Sequence, residues 1–182
     1  MARRIVILAG LLAVVAAKAF AWDRILAARR GGRPPEPLRM LVVVDAPIER
    51  TWRVLADIEL QPAWMHEMKE VRVTTPGPAG VGTRGEATVR IFGIRVTDPV
   101  EVVEFEPPVR FAIRHEGLFT GGGVITLEPG VDGTTTVVRW EETLVPPCLP
   151  VLGALAMAPV LREIFQADLH RFRVLVESGS LD

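Results

Sequence analysis

The sequence predicts an α+β fold: a curved antiparallel sheet closed by one long C-terminal helix, with a hydrophobic helix ahead of it. Three observations predict it. Apolar and polar residues alternate with a period of two through most of the segment from Val71 to Leu144, the mark of half-buried strands. Pro, Gly and Asp clusters separate these strands, as in hairpins, and no helical pattern intervenes as a parallel sheet would need. Leu161, Phe165, Leu169, Phe172 and Val176 then recur at helical spacing. A hairpin-built sheet buries one face, so this striped helix must cover it, and the sheet's twist curls it around the helix.

In chain order, residues 1–28 form the first segment. Ile5 to Trp22 reads IVILAGLLAVVAAKAFAW, with Lys18 its one charge. That is close to the roughly 20 apolar residues of a membrane span, and Trp22 sits where an interfacial aromatic is favoured. The expectation is a single-pass anchor. The rival is a cleaved signal peptide, with Arg3 and Arg4 leading and Ala19-Phe20-Ala21 as the cleavage site. Arg24, Arg29, Arg30 and Arg33 outnumber the two leading arginines, which favours the anchor with the domain on the cytoplasmic side; export is the alternative. Residues 29–37, RRGGRPPEP, form a linker in which Gly-Gly ends the helix and the prolines favour an extended path.

Residues 38–178 form the domain. Leu38 to Val44 is a nearly continuous apolar run, so a strand buried on both faces or nearly so. Asp45 serves as helix cap before Pro47, and Ile48, Thr51, Trp52, Leu55 and Ile58 form one inward stripe. Gln61-Pro62 breaks that helix, and Ala63 to Met68 makes a second short helix or turn. Strands follow at Val71–Thr75, Thr83–Ile91, Ile94–Phe105 (broken near Asp98-Pro99), Val109–Glu116, Val124–Leu127 and Thr134–Leu144. Turns fall at Pro76-Gly77-Pro78, Phe92-Gly93, Glu106-Pro107-Pro108 and Pro129–Gly133, and Gly121-Gly122-Gly123 reads as a loop or gate. The terminal helix runs from Val151 to Glu177, divided at Pro159.

Composition narrows the function. Of 182 residues 49% are apolar, and the formal charge is −1, which leaves no basic footprint for nucleic acid. The single Cys148 excludes an internal disulfide, and it reads as buried and inert. His66, His115 and His170 lack ligand spacing, so no metal and no cofactor are expected. Oligomeric state is not encoded in any visible pattern.

The segments VVVDAPIERTWRVLADIELQPAW, GTRGEATVRIFG, VEFEPPVRFAIRHEG and TTVVRWEETL resemble the polyketide cyclase/dehydrase and lipid-transport group of the START-like (SRPBCC) helix-grip superfamily. The resemblance covers about Leu38 to Glu177. It implies a cavity between sheet and C-terminal helix that takes a hydrophobic or lipid-like molecule, and it does not choose among the superfamily's functions.

Alternation and the helical stripe nominate the cavity wall: Trp52, Trp64, Phe111, Ile113, His115, Val138, Trp140, Leu161, Phe165 and Phe172. His115 is the candidate acid or base, with Glu142 or Asp168 as orienting partner. Against this, a strand-end histidine is commonly half solvated, and Trp52 and Trp64 at helical spacing are commonly core. His66 and Glu67 read as a solvated turn, and Arg162 and Glu163 as a surface pair. The Gly run lacks a following helix to hold phosphate. The reading is a membrane-anchored binding or transfer module for a hydrophobic small molecule. The alternatives are a cyclase or dehydratase acting on a polyketide-like or aromatic substrate through His115, and a closed protein-interaction domain.

Overall fold

The computed structural model describes residues 2–91 and 93–180. Helix α1 (Ala2–Arg29) precedes strand β1 (Leu38–Val44), helix α2 (Ile48–Ala56), a 3-10 turn at Ile58–Leu60 and the short α3 (Gln61–Trp64). Six strands follow, β2 (Met68–Val73), β3 (Arg84–Ile91), β4 (Ile94–Glu106), β5 (Arg110–Glu116), β6 (Thr120–Pro129) and β7 (Thr136–Val145), and then α4 (Leu152–Ser178). The seven strands form one antiparallel sheet in the order β1-β7-β6-β5-β4-β3-β2. Hairpins join β2 through β7 in sequence, and β1 closes against β7. The predicted α+β, helix-grip architecture is therefore the observed one.

The core lies between the inner sheet face and α4. Leu161, Phe165, Leu169, Phe172 and Val176 are all buried, as the helical spacing requires. They meet Met40, Val42, Val44, Val138 and Trp140 from β1 and β7. On the outer face, cross-strand ion pairs such as Arg72–Glu86 and Arg39–Glu141 stand in water. They contribute little energy but mark that face as solvated.

Several expectations are corrected. β1 alternates strictly, with Leu41 and Val43 exposed, because an apolar run on a one-faced sheet still sends every second side chain outward. Asp45 caps nothing. α2 starts after Pro47 without a side-chain cap, and the corner is held by the Thr136 hydroxyl donating to the Ala46 carbonyl at 2.8 Å. The short helix lies at Gln61–Trp64, and a turn at His66-Glu67 follows it within the expected segment. β4 runs unbroken through Asp98-Pro99, with its irregularity between Val102 and Glu104. Pro159 does not divide α4; the carbonyl it orphans belongs to Leu155, which is exposed and can be hydrated. Gly121-Gly122-Gly123 is strand, not loop. Cys148 is exposed, not buried. The Phe92-Gly93 turn lies partly outside the described residues; Gly93 has φ 82.

The edge of β1 is covered from α4. The Leu41 N–H donates to Gln166 Oε1 at 3.3 Å, and Gln166 Nε2 donates to the Leu41 carbonyl at 2.9 Å. This removes part of an open pairing edge.

α1 is a single helix, and the end of it is not detached from the domain. The Asp23 carboxylate, 2% exposed, accepts the N–H groups of Val151 (3.0 Å) and Leu152 (2.7 Å). Those donors belong to the first turn of α4 and have no partner within that helix. Among the described residues no helix is long and apolar enough to cross a membrane, so the expected single-pass span is not supported by the fold. The side chains of Arg3 and Arg4, on which its orientation partly depends, lie outside the described ones.

Asp23→Ala strips two first-turn donors of their acceptor, a loss of about 1 kcal/mol by analogy with helix caps. Amide exchange at Val151 and Leu152 is expected to accelerate by several-fold, read by hydrogen-exchange mass spectrometry, while the β1–β7 amides keep their protection.

Candidate functional site

Toward β2–β5 the inner face of the sheet parts from α4 and encloses a cavity of about 340 Å³. Its wall is mainly apolar. β4 contributes Val100 and Val102, β5 Phe111 and Ile113, and α4 Met157, Leu161 and Phe165. The aromatic rings brace one side. Trp140 lies 4.9 Å from Phe165 and 6.2 Å, edge on, from Trp64, which meets Phe172 at 5.1 Å.

Of the residues nominated from sequence, Trp64, Phe111, Ile113, His115, Trp140, Leu161 and Phe165 line this cavity. Trp52, Val138 and Phe172 are placed elsewhere, in the packed core. Trp52 meets Phe105 edge on at 5.3 Å. Val138 is sealed between its register neighbours Val42 and Leu127, and Phe172 sits behind Trp64.

One polar constellation interrupts the apolar wall. His115 Nε2 lies 3.0 Å from Glu142 Oε1, and the Trp140 indole N–H donates to Glu142 Oε2 at 2.9 Å. Glu142 is 3% exposed. His115 is on β5 and Glu142 on β7, two strands that do not adjoin but flank β6. Two strand spacings amount to about 9.6 Å, and side chains on the intervening strand would normally fill that gap. Here β6 carries Gly121 opposite His115 and Gly123 opposite Glu142. A methyl group at position 123 would collide with the Glu142 carboxylate and come within 3.2 Å of Trp140 Nε1. The missing side chain at Gly123 is what leaves room for the Glu142 carboxylate beneath β6, whereas a side chain at Gly121 would meet the Thr143 carbonyl instead.

Asp98 completes the group. It is 8% exposed, lines the cavity and accepts the Leu118 N–H at 2.9 Å. Burial by itself pulls the His115 pKa down; the hydrogen bond to Glu142, the charge of Glu142 and that of Asp98 outweigh it and hold His115 above the ordinary histidine value. His115 is thus more readily protonated than an ordinary histidine.

Asp168, the other partner considered for His115, does a different job. It is 1% exposed. It accepts the His66 N–H at 3.0 Å and Arg171 Nη1 at 2.6 Å, tying the turn after α3 to α4. Burial pushes its pKa up, against the opposing pull of His66 and Arg171. His66 itself is exposed, whereas Glu67 reaches the cavity wall. Among the described residues no cluster of His, Cys, Asp and Glu could hold a metal ion.

Sequence reasoning passed over Asp98 and the glycines. Asp98 shares a face with Val100, whose register partner is His115. Inner-face alternation along β4 was the available signal, hidden by reading Asp98-Pro99 as a strand break.

Because the folded pKa of His115 is raised, the stability this pair contributes is fully present below the unfolded histidine value of about 6.5. It is lost as pH rises through the folded value. Gly123→Ala is expected to separate Glu142 from Trp140 and lower the His115 titration midpoint, read by NMR of the imidazole. An unchanged midpoint in a folded G123A protein would refute the role given to the bare strand.

The model of the family described as "Polyketide cyclase / dehydrase and lipid transport" matches residues 38–177. No curated protein matches the sequence. Among solved structures, TTHA0849 from Thermus thermophilus is 21% identical with a TM-score of 0.60, covering 79% of this chain and 99% of its own. DR_A0006 from Deinococcus radiodurans is 22% identical with a TM-score of 0.59, covering 79% and 98%. The Zhui aromatase/cyclase from Streptomyces sp. R1128 is 18% identical with a TM-score of 0.67, covering 78% and 93%. At such identities the likeness is one of fold. With the sheet, the long helix and the family match over residues 38–177 in agreement, the chain belongs to the polyketide cyclase/dehydrase and lipid-transport family.

Proposed function

We propose that the domain binds a hydrophobic small molecule in the cavity between the sheet and α4. The observation that carries this reading is the cavity itself: about 340 Å³, walled by aliphatic and aromatic side chains, with a few convergent polar groups at one place. That combination is typical of small-molecule sites, and membership of the family fits it. Burial of a ligand's apolar surface supplies the affinity, at roughly 25 cal/mol per Å², and His115, Glu142 and Asp98 orient it.

The tether belongs to the same proposal. α1 exposes Ile7, Leu8, Leu11, Leu12, Val15 and Phe20, and Arg24, Arg29, Arg30 and Arg33 follow. A helix apolar around its circumference is covered by something other than water. We assign it to a lipid surface, with the arginines at the headgroups and the domain on the cytoplasmic side. Flotation of the full chain with vesicles containing anionic lipid, against a chain carrying Leu8→Lys, Leu11→Lys and Leu12→Lys, tests this part separately.

A second reading is favoured by the His115–Glu142 pair, which a passive carrier does not need. Two neighbours in fold are described as aromatase/cyclases. Dehydration of a polyketide-like substrate needs an acid for the departing hydroxyl and a base for the proton lost from the adjacent carbon. The imidazolium of His115 donates to the hydroxyl, water leaves, and the neutral imidazole takes that proton and is restored. Glu142 holds the ring in place.

Native mass spectrometry of the purified chain is expected to show a bound apolar species. Ala87→Phe, which fills the cavity from β3, is expected to weaken its retention at least tenfold at an overpacking cost of about 1–3 kcal/mol. Retention unchanged in a folded A87F protein would overturn the cavity as the site. On the enzymatic reading, His115→Ala lowers turnover of a substrate by at least about a hundredfold while the ligand still binds; equal turnover would remove it.

A further inference from the structure

Resting on the reading of the cavity as a small-molecule site, we infer that the site selects neutral, hydroxyl-bearing apolar molecules and rejects carboxylates of the same shape. The polar lining decides this. Three carboxylates on the wall are nearly fully buried: Asp98, Glu142 and Asp168. Asp168 is matched by Arg171, whose Nη1 lies 2.6 Å from Oδ1. Glu142 is matched by His115 at 3.0 Å. The remaining basic residue on the wall, Arg84, turns its guanidinium outward. It pairs with Glu101 at 3.1 Å, with its side chain 64% exposed.

Asp98 is left with a backbone N–H as its partner. Two carboxylates, Glu142 and Asp98, thus share one imidazole, so even a protonated His115 leaves the group one cation short. The cavity offers no second cation to a ligand.

Acceptor capacity is also in surplus. A carboxylate has about four lone-pair positions. Glu142 uses two, toward His115 and Trp140, and Asp98 uses one, toward Leu118. A ligand hydroxyl or phenol can donate to these oxygens. A ligand carboxylate cannot donate, and it would bring a further negative charge into a mainly apolar cavity beside two others, which is strongly disfavoured. Free fatty acids and aromatic acids are thereby excluded in favour of alcohols and phenols.

The test is equilibrium dialysis of the full chain at pH 7 against naphthalene, 2-naphthol and 2-naphthoate. 2-Naphthol is expected to bind at least tenfold tighter than 2-naphthoate. Asp98→Asn, which keeps the acceptor for Leu118 and removes the charge, is expected to narrow that ratio at least threefold. Naphthoate binding as tightly as naphthol, or a ratio unmoved in a folded D98N protein, would overturn the inference while leaving the cavity as a binding site. Failure of naphthalene and naphthol alike to bind would instead remove the binding reading, and this selectivity with it.

Discussion

A seven-stranded sheet is about 29 Å across at the usual strand spacing, and one helix is about 10 Å in diameter. α4 packs chiefly against β1, with lighter contact to β7 and α3. It cannot also reach β2, β3 and β4. The sheet answers by curling, and α2, the 3-10 turn and α3 close part of the remaining gap. What is left is the cavity. Trp64, Trp140, Phe165 and Phe172 stand between the packed side and the open side. Rings meeting at large angles resist sliding closed more firmly than aliphatic chains with many rotamers do. The void thus follows from covering a wide sheet with one helix, and the braces keep it open.

The polar group in the void depends on the same geometry. A lone buried carboxylate costs several kcal/mol. Glu142 is tolerated because His115 and Trp140 both donate to it, and the carboxylate has room to receive them because β6 is bare at Gly123. Replacing the whole group with apolar residues would, in general, be neutral or stabilising. Its presence in an otherwise apolar wall therefore reads as functional, and its imbalance of charge gives the wall a chemical preference that volume and hydrophobicity alone would not.

The parts legible in the sequence were those governed by periodicity. The stripe Leu161 to Val176 and the alternation along β3, β5 and β7 express burial directly, so strands, helix and much of the wall followed from them. What periodicity does not carry is register. Whether His115 meets Glu142 or Asp168 depends on which strand lies between β5 and β7, and on that strand having no side chain at Gly123. Three consecutive glycines look like a loop when read along the chain; read across the sheet, Gly123 is the clearance for the Glu142 carboxylate, and Gly121 and Gly122 lie close against the Thr143 and Ile113 carbonyls. Trp52 and Phe172 share a helical stripe with cavity residues, yet they fall on the packed side because a helix face is wider than the opening it borders.

The N-terminal helix follows a further constraint. Its exposed apolar side chains run from Ile5 to Ile25, and such an area in water is unfavourable at roughly 25 cal/mol per Å². Asp23 is buried at one end of this stretch and bonded to Val151 and Leu152. Met157, on the cavity wall, is five residues beyond Leu152, about 8 Å along the helix. Any surface that covers α1 is therefore fastened within about two helical turns of the cavity. A flexible linker alone would let the domain turn freely relative to α1. A buried carboxylate bridging the end of one helix to the start of another does not, so the covering of α1 and the orientation of the cavity are coupled through one side chain.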